Sequence, residues 1–145
     1  MLDKSPGTYI LLMTLARPRS VEIGRLGVRR FEAGLFAYVG SARGPGGLAA
    51  RLGRHFAGTG PKRWHLDWLR PHVEVVGALV REGRERVECA WAAWVAERAA
   101  GCVVGFGSSD CRCPGHLFRV GGFRAVGRFR EAAEAELGAE FEGEF

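Results

Sequence analysis

The stretch GTYILLMTL, Gly7–Leu15, holds nine residues in which only Thr8, Thr14 and the hydroxyl of Tyr9 are polar. An apolar run of this length, followed by Pro18, reads as a buried strand that opens a sheet. A similar run, LFAYVG at Leu35–Gly40, leads into SARGPGG, which is loop by composition. Between them, Val21–Leu26 alternates in the manner of a shorter strand, with a turn expected at Glu32–Gly34.

Downstream the period lengthens. Leu48, Leu52 and Phe56 stand four apart and predict a helix with Arg51 and His55 along its flank, closed by the polar break GTGPKR. Trp64–Leu69 reads as a short helical turn stopped before Pro71, and Val73–Val80 as a strand. Val87, Trp91, Trp94, Val95 and Arg98 predict the longest helix, Arg84–Ala100, with Gly101 as its cap. GFGSSDCRCPG, Gly105–Gly115, is irregular; His116–Val120 suits a last strand and Arg128–Leu137 a helix, while the acidic Glu140–Phe145 is expected to fray.

A chain of 145 residues with 47% hydrophobic residues suits one domain. No apolar run is long enough to span a bilayer, and Tyr9–Leu15 lacks a signal peptide's cleavage pattern. The expectation is a cytoplasmic protein with no membrane partner. The net charge of +5 conceals an asymmetry: residues 131–145 carry six Glu and no Lys or Arg, so residues 1–130 set 21 Lys and Arg against ten acids, a net +11. Such a basic body suits a polyphosphate partner, as well as serving solubility. The six Glu raise a second expectation, that the tail folds over the basic face and competes with nucleic acid.

Gly7-Thr8-Tyr9 and Tyr38-Val39-Gly40 each pair a Tyr with a Gly, and two phenols converge if their strands are neighbours. Arg51 and His55, at i and i+4, offer a phosphate clamp and a titratable imidazole. Glu88 stands three residues before Trp91, on the edge of an apolar helix face, where it is either a functional carboxylate or one favoured by the helix dipole. The SARGPGG loop has no Walker lysine, which removes support for nucleotide hydrolysis.

In this order, two strand tyrosines, an Arg/His helix and a helical Glu resemble the GIY-YIG nuclease core. GPGGL followed by RLGRHF, WHLDWL, VECAW and GFGSSDCRCPGHLF is similar, more closely, to the Uri-type (DUF123) branch, over nearly everything from Gly7 to Val120. The resemblance implies an α+β fold (α/β in the broad sense): a small, mainly antiparallel central sheet flanked by helices. It divides the chain into a nuclease domain, 1–125, and a C-terminal helical, acidic tail, 126–145, that is not a separate domain. It further implies an endonuclease that hydrolyses phosphodiester bonds, DNA more than RNA, directed by structure or damage. A magnesium or manganese ion would sit at Glu88, and Arg51 would bind the scissile phosphate. Tyr38, with Tyr9 beside it, would orient or deprotonate the attacking water, and His55 would assist proton transfer. Arg43, Arg54, His65 and Ser109 would face the nucleic acid. The competing reading is a non-catalytic nucleic-acid-binding module that serves a repair or recombination enzyme. Two departures bear on it. The chain contains no Asn, which the family supplies after its Glu, leaving Ser108, Ser109 or Asp110 to replace it, and Ser41 stands where some members have Lys.

Four Cys without a secretion signal are expected as reduced thiols or metal ligands. Cys111, Cys113 and His116, with Cys89, make a set of N/S ligands for structural zinc, though not at finger spacing. Small buried cysteines packing against Trp91 are the preferred alternative, because free Cys is among the most buried residue types.

Overall fold

The computed structural model describes residues 2–143. Its strands are β1 (Gly7–Leu15), β2 (Arg19–Glu22), β3 (Val28–Phe31), β4 (Gly34–Ala42), β5 (Glu74–Glu82), β6 (Gly101–Cys102), β7 (Leu117–Gly121) and β8 (Glu140–Gly143). Its helices are α1 (Gly47–Ala57), α2 (His65–Leu69), α3 (Glu88–Arg98) and α4 (Ala125–Leu137). Six strands form one sheet in the order β6-β7-β4-β1-β5-β8, every pairing antiparallel, and β2 and β3 form a separate ribbon. The architecture is α+β, as expected.

β1 lies at the centre because both of its faces are apolar. Tyr9, Leu11 and Met13 enter one core with Tyr38, Leu48, Leu52, Leu66 and Phe106; Ile10 and Leu12 enter another with Val39, Trp91, Val95, Phe129 and Ala133. Helices therefore cover both faces, α1 and α2 on the first and α3 and α4 on the second. Burial on both sides is what makes the strand a continuous apolar run and not an alternating one. Each fully buried Leu or Ile contributes roughly 1.5–3 kcal/mol, so these few residues anchor both layers.

The two Gly-Tyr elements have a steric cause. Tyr9 pairs with Gly40 across β1 and β4, and a Cβ on Gly40 would stand 2.5 Å from the Tyr9 hydroxyl. A Cβ on Gly7 would stand 2.7 Å from Leu48 Cδ1, where α1 crosses the sheet. The first turn of α1 has no side-chain cap; the Leu48 and Ala49 N–H groups donate to the carbonyls of Ser5 and Asp3.

Several boundaries depart from the sequence expectation. The second strand ends at Glu22, and Gly24–Leu26 is a 3-10 turn. α3 begins at Glu88, not Arg84, because the Arg84 and Glu85 carbonyls accept hydrogen bonds from the Arg43 guanidinium instead of entering the helix. Gly101 does not cap α3; it pairs with Arg119 in β6. The tail does not fray through Gly143: β8 pairs with β5 at the sheet edge, with Arg130 over the Phe141 ring at 4.0 Å. Glu144 and Phe145 lie outside the described residues. The expected masking of the basic face is corrected, since α4 packs into the second core, through Phe129 and Ala133, on the face opposite Tyr9 and Tyr38. Among the described residues, no helix is long and apolar enough to cross a membrane.

Candidate functional site

Antiparallel register brings the two tyrosines together. Tyr9 opposes Gly40 and Leu11 opposes Tyr38, so the phenols are diagonal neighbours on one face, with ring centroids 6.4 Å apart. α1 lies over them and lowers His55 between them, at 5.7 Å from the Tyr9 ring and 6.3 Å from the Tyr38 ring. His55 Nε2 is 2.9 Å from the Tyr9 hydroxyl. His55 is 2% exposed, against the surface position expected of a helix-flank histidine. It follows Leu48 by seven residues, two helical turns, and so shares the apolar stripe.

Burial sets the protonation of this cluster. It pushes His55 down to about 4, helped by the nearby Arg51 charge. It pushes Tyr9 up to about 12, partly offset by Arg51, and holds Tyr38 still further above the ordinary phenol range. At neutral pH the imidazole is uncharged and both phenols keep their protons. A general-base role for Tyr38 requires the opposite shift, so in this state the phenols are donors and orienting groups.

Arg51 donates to the Ser41 carbonyl at 2.9 Å and lies over the Trp64 ring at 4.1 Å. Arg54 stacks on the same ring at 4.4 Å and donates to Asp67 at 2.8 Å. The Asp67 carboxylate also accepts from the Arg63 and Trp64 N–H groups, which closes the start of α2. Arg51, Arg54, Arg63 and Trp64 line an open cleft of about 400 Å³ whose lining contains no acid. With Arg54 held by Asp67, the Arg51 and Arg63 guanidiniums are the groups of this cleft that can receive a phosphate. Arg70 donates to the His55 and Phe56 carbonyls and pins the end of α1 that carries the imidazole.

Glu88 is the first residue of α3, with an ion pair to Arg43 at 3.5 Å. Among the described residues no hydrogen bond or ion pair joins it directly to Tyr9, Tyr38, Arg51 or His55. The connection runs through one segment of chain: Arg43, on Glu88, follows Ala42, and Ser41 accepts from Arg51. Arg43 is spent on Glu88 and two carbonyls, with its Nε buried and unpartnered, and so is not a free phosphate ligand. One carboxylate, partly exposed and weakly paired, fits a hard cation that keeps most of its waters.

His65 is tied inward. Its Nδ1 accepts from the Gly107 N–H at 2.8 Å and its ring packs on Phe106, so it links α2 to the loop after β6. Phe106 packs in turn on Tyr38 at 6.0 Å. Ser109 is exposed on that loop, which leaves it open to solvent.

The same loop builds a second cluster. Cys89, Cys111, Cys113 and His116 bring one ligand atom each to within 4.8 Å of one another, a group that can hold a metal ion. The packing alternative fails: Cys89 is exposed, Cys111 and Cys113 are half-buried, and only His116 enters the interior. A hydrogen bond to the Cys113 thiol and partial burial push the Cys89 thiol up to about 12, a consequence of crowded thiols. Asp67, Arg70 and Phe106 carried no mark in the sequence reading. The position of Asp67, three residues after Trp64 at a helix start, is a capping signal that could have found it.

A family model described as "Domain of unknown function DUF123" matches residues 8–137. No curated protein and no solved structure matches the chain.

Proposed function

The chain belongs to the DUF123 domain family, and we propose that it is a metal-dependent endonuclease of the GIY-YIG type, Uri branch, acting on DNA by structure or damage. The observation that carries this reading is the buried Tyr9–His55–Tyr38 cluster, with Arg51 at its mouth beside a cleft lined by guanidiniums.

Arg51 binds the scissile phosphate and stabilises charge that builds on its non-bridging oxygens. Trp64 holds the guanidinium flat, with Arg54 stacked on the same ring. Tyr38, 8% exposed where Tyr9 is fully buried, is the phenol that orients the attacking water. The Tyr9 hydroxyl and His55 Nε2 share a hydrogen bond of 2.9 Å, and burial keeps the imidazole neutral at pH 7. Glu88 supplies the oxygen donor for a magnesium or manganese ion, which when bound lends positive charge to the departing oxygen.

A second reading, a non-catalytic nucleic-acid-binding module, draws on the Glu88–Arg43 pair and the missing Asn. Labelled single-stranded, duplex, flapped and abasic DNA, incubated with magnesium or manganese, separates the two. Cutting that disappears in Arg51→Ala and Glu88→Ala supports the nuclease. Binding without cutting on every substrate replaces it with the module.

A further inference from the structure

We propose that Cys89, Cys111, Cys113 and His116 bind one zinc ion, which fastens the first turn of α3 to the loop at 103–116 and, through His116, to β4. A tetrahedral zinc with Zn–S near 2.3 Å and Zn–N near 2.0 Å has ligand-to-ligand edges of about 3.5–3.8 Å. His116 Nε2 stands 3.4 Å from Cys111 Sγ and 4.0 Å from Cys89 Sγ. With all four ligand atoms inside 4.8 Å, closure on an ion needs displacements of about 1 Å or less.

The imidazole is already set for this task. His116 Nδ1 is 3.1 Å from the Val39 carbonyl oxygen. A carbonyl only accepts, so Nδ1 carries the proton and Nε2 turns its lone pair toward the sulfurs. A backbone carbonyl that fixes the tautomer from behind is the usual support of a zinc-bound histidine. The ring cannot swing away, because it is 4% exposed and its backbone is bonded on both sides, to Phe106 and to Val39. The donors are three thiols and an imidazole with no carboxylate, a set that selects zinc over magnesium or calcium. Binding would release the thiol protons, so affinity falls in acid.

The ion has a mechanical consequence. The loop it would hold carries Phe106 against Tyr38 and Gly107 against His65, and Cys89 directly follows Glu88. One ion thus joins the turn that bears the carboxylate to the wall that bears the phenol. The value of this to catalysis rests on the nuclease reading, whereas zinc binding does not.

Protein purified without chelator tests the site by metal analysis and by cobalt exchange. The expected result is one zinc per chain and, after exchange, the visible bands and near-ultraviolet thiolate charge transfer of tetrahedral cobalt. Cys111→Ser/Cys113→Ser should lose the metal, whereas Cys102→Ser, outside the cluster, should keep it. Should the double variant not fold, wild type stripped by chelator and reloaded serves in its place. Stripping should lower the thermal midpoint by on the order of 10 °C and raise hydrogen exchange at residues 88–92 and 103–116 but not in β1. Absence of zinc, iron in its place, or zinc retained by the double variant overturns the proposal. Unchanged exchange at 88–92 in stripped protein overturns the fastening of α3. None of these outcomes depends on cleavage, so the site and the nuclease stand or fall separately.

Discussion

Tyr38 and Val39 are consecutive residues of β4, and each serves a buried histidine. Tyr38 packs its ring on His55; the Val39 carbonyl holds His116 from behind. The two imidazoles differ in what their Nε2 atoms face. That of His55 meets one phenol, in a pocket that also holds Arg51 and strips the ring of any charge. That of His116 meets sulfur. The same side chain therefore becomes part of a buried phenol cluster in one place and of a soft donor set in the other, by the choice of neighbour alone. Glu88 and Cys89 repeat the division on consecutive helical residues, one a hard oxygen donor and the other a soft one.

The largest effect should come from separating these two donors. Glu88→Gln is expected to reduce cleavage on the order of 10³-fold while metal analysis finds zinc at the wild-type level; loss of zinc with the carboxylate would merge the two sites into one. Arg51→Ala should follow, with a loss of about 10²–10³ in turnover. Its folding should be intact by circular dichroism, and a change confined to substrate affinity would reduce Arg51 to a docking contact.

Acid tests the His55 side. Its folded pKa, about 4, lies below the unfolded 6.5. The unfolded chain therefore takes up a proton first as pH falls, and the stability tied to a neutral His55, present above pH 6.5, is lost as pH falls through about 4. The loss is about 3 kcal/mol. Urea midpoints for wild type and His55→Gln should converge between pH 7 and 4, and parallel curves would mean that the ring is not buried neutral. Tyr9→Phe should have the smallest effect. It leaves His55 Nε2 without its partner and should cost about 1–3 kcal/mol of stability and about tenfold in rate. Unchanged stability would show that the pair contributes no net hydrogen bond.

What was legible in the sequence tracks how local its cause is. β1 matched Gly7–Leu15 because its apolar run is self-sufficient, and the two Gly-Tyr elements were visible because they sit on adjoining strands. The burial of His55 was hidden because residue type pointed outward while its place, seven after Leu48, pointed inward. The early start assigned to α3 failed for a distant reason: Arg43 takes the Arg84 and Glu85 carbonyls. β8 was missed because its acids favour solvent, whereas pairing with the β5 edge and the Arg130–Phe141 contact hold it. The cysteine set was seen, but its geometry was not, because Cys89 reaches the loop cysteines only through the packing of α3 on β4 and β7.

The most direct measurement is cleavage of flapped and abasic duplex DNA by zinc-replete wild type and by Glu88→Gln of equal zinc content, with and without magnesium or manganese. Metal-dependent cutting by wild type alone is the expected result. Cutting by both proteins, or by neither under any divalent ion, would contradict it.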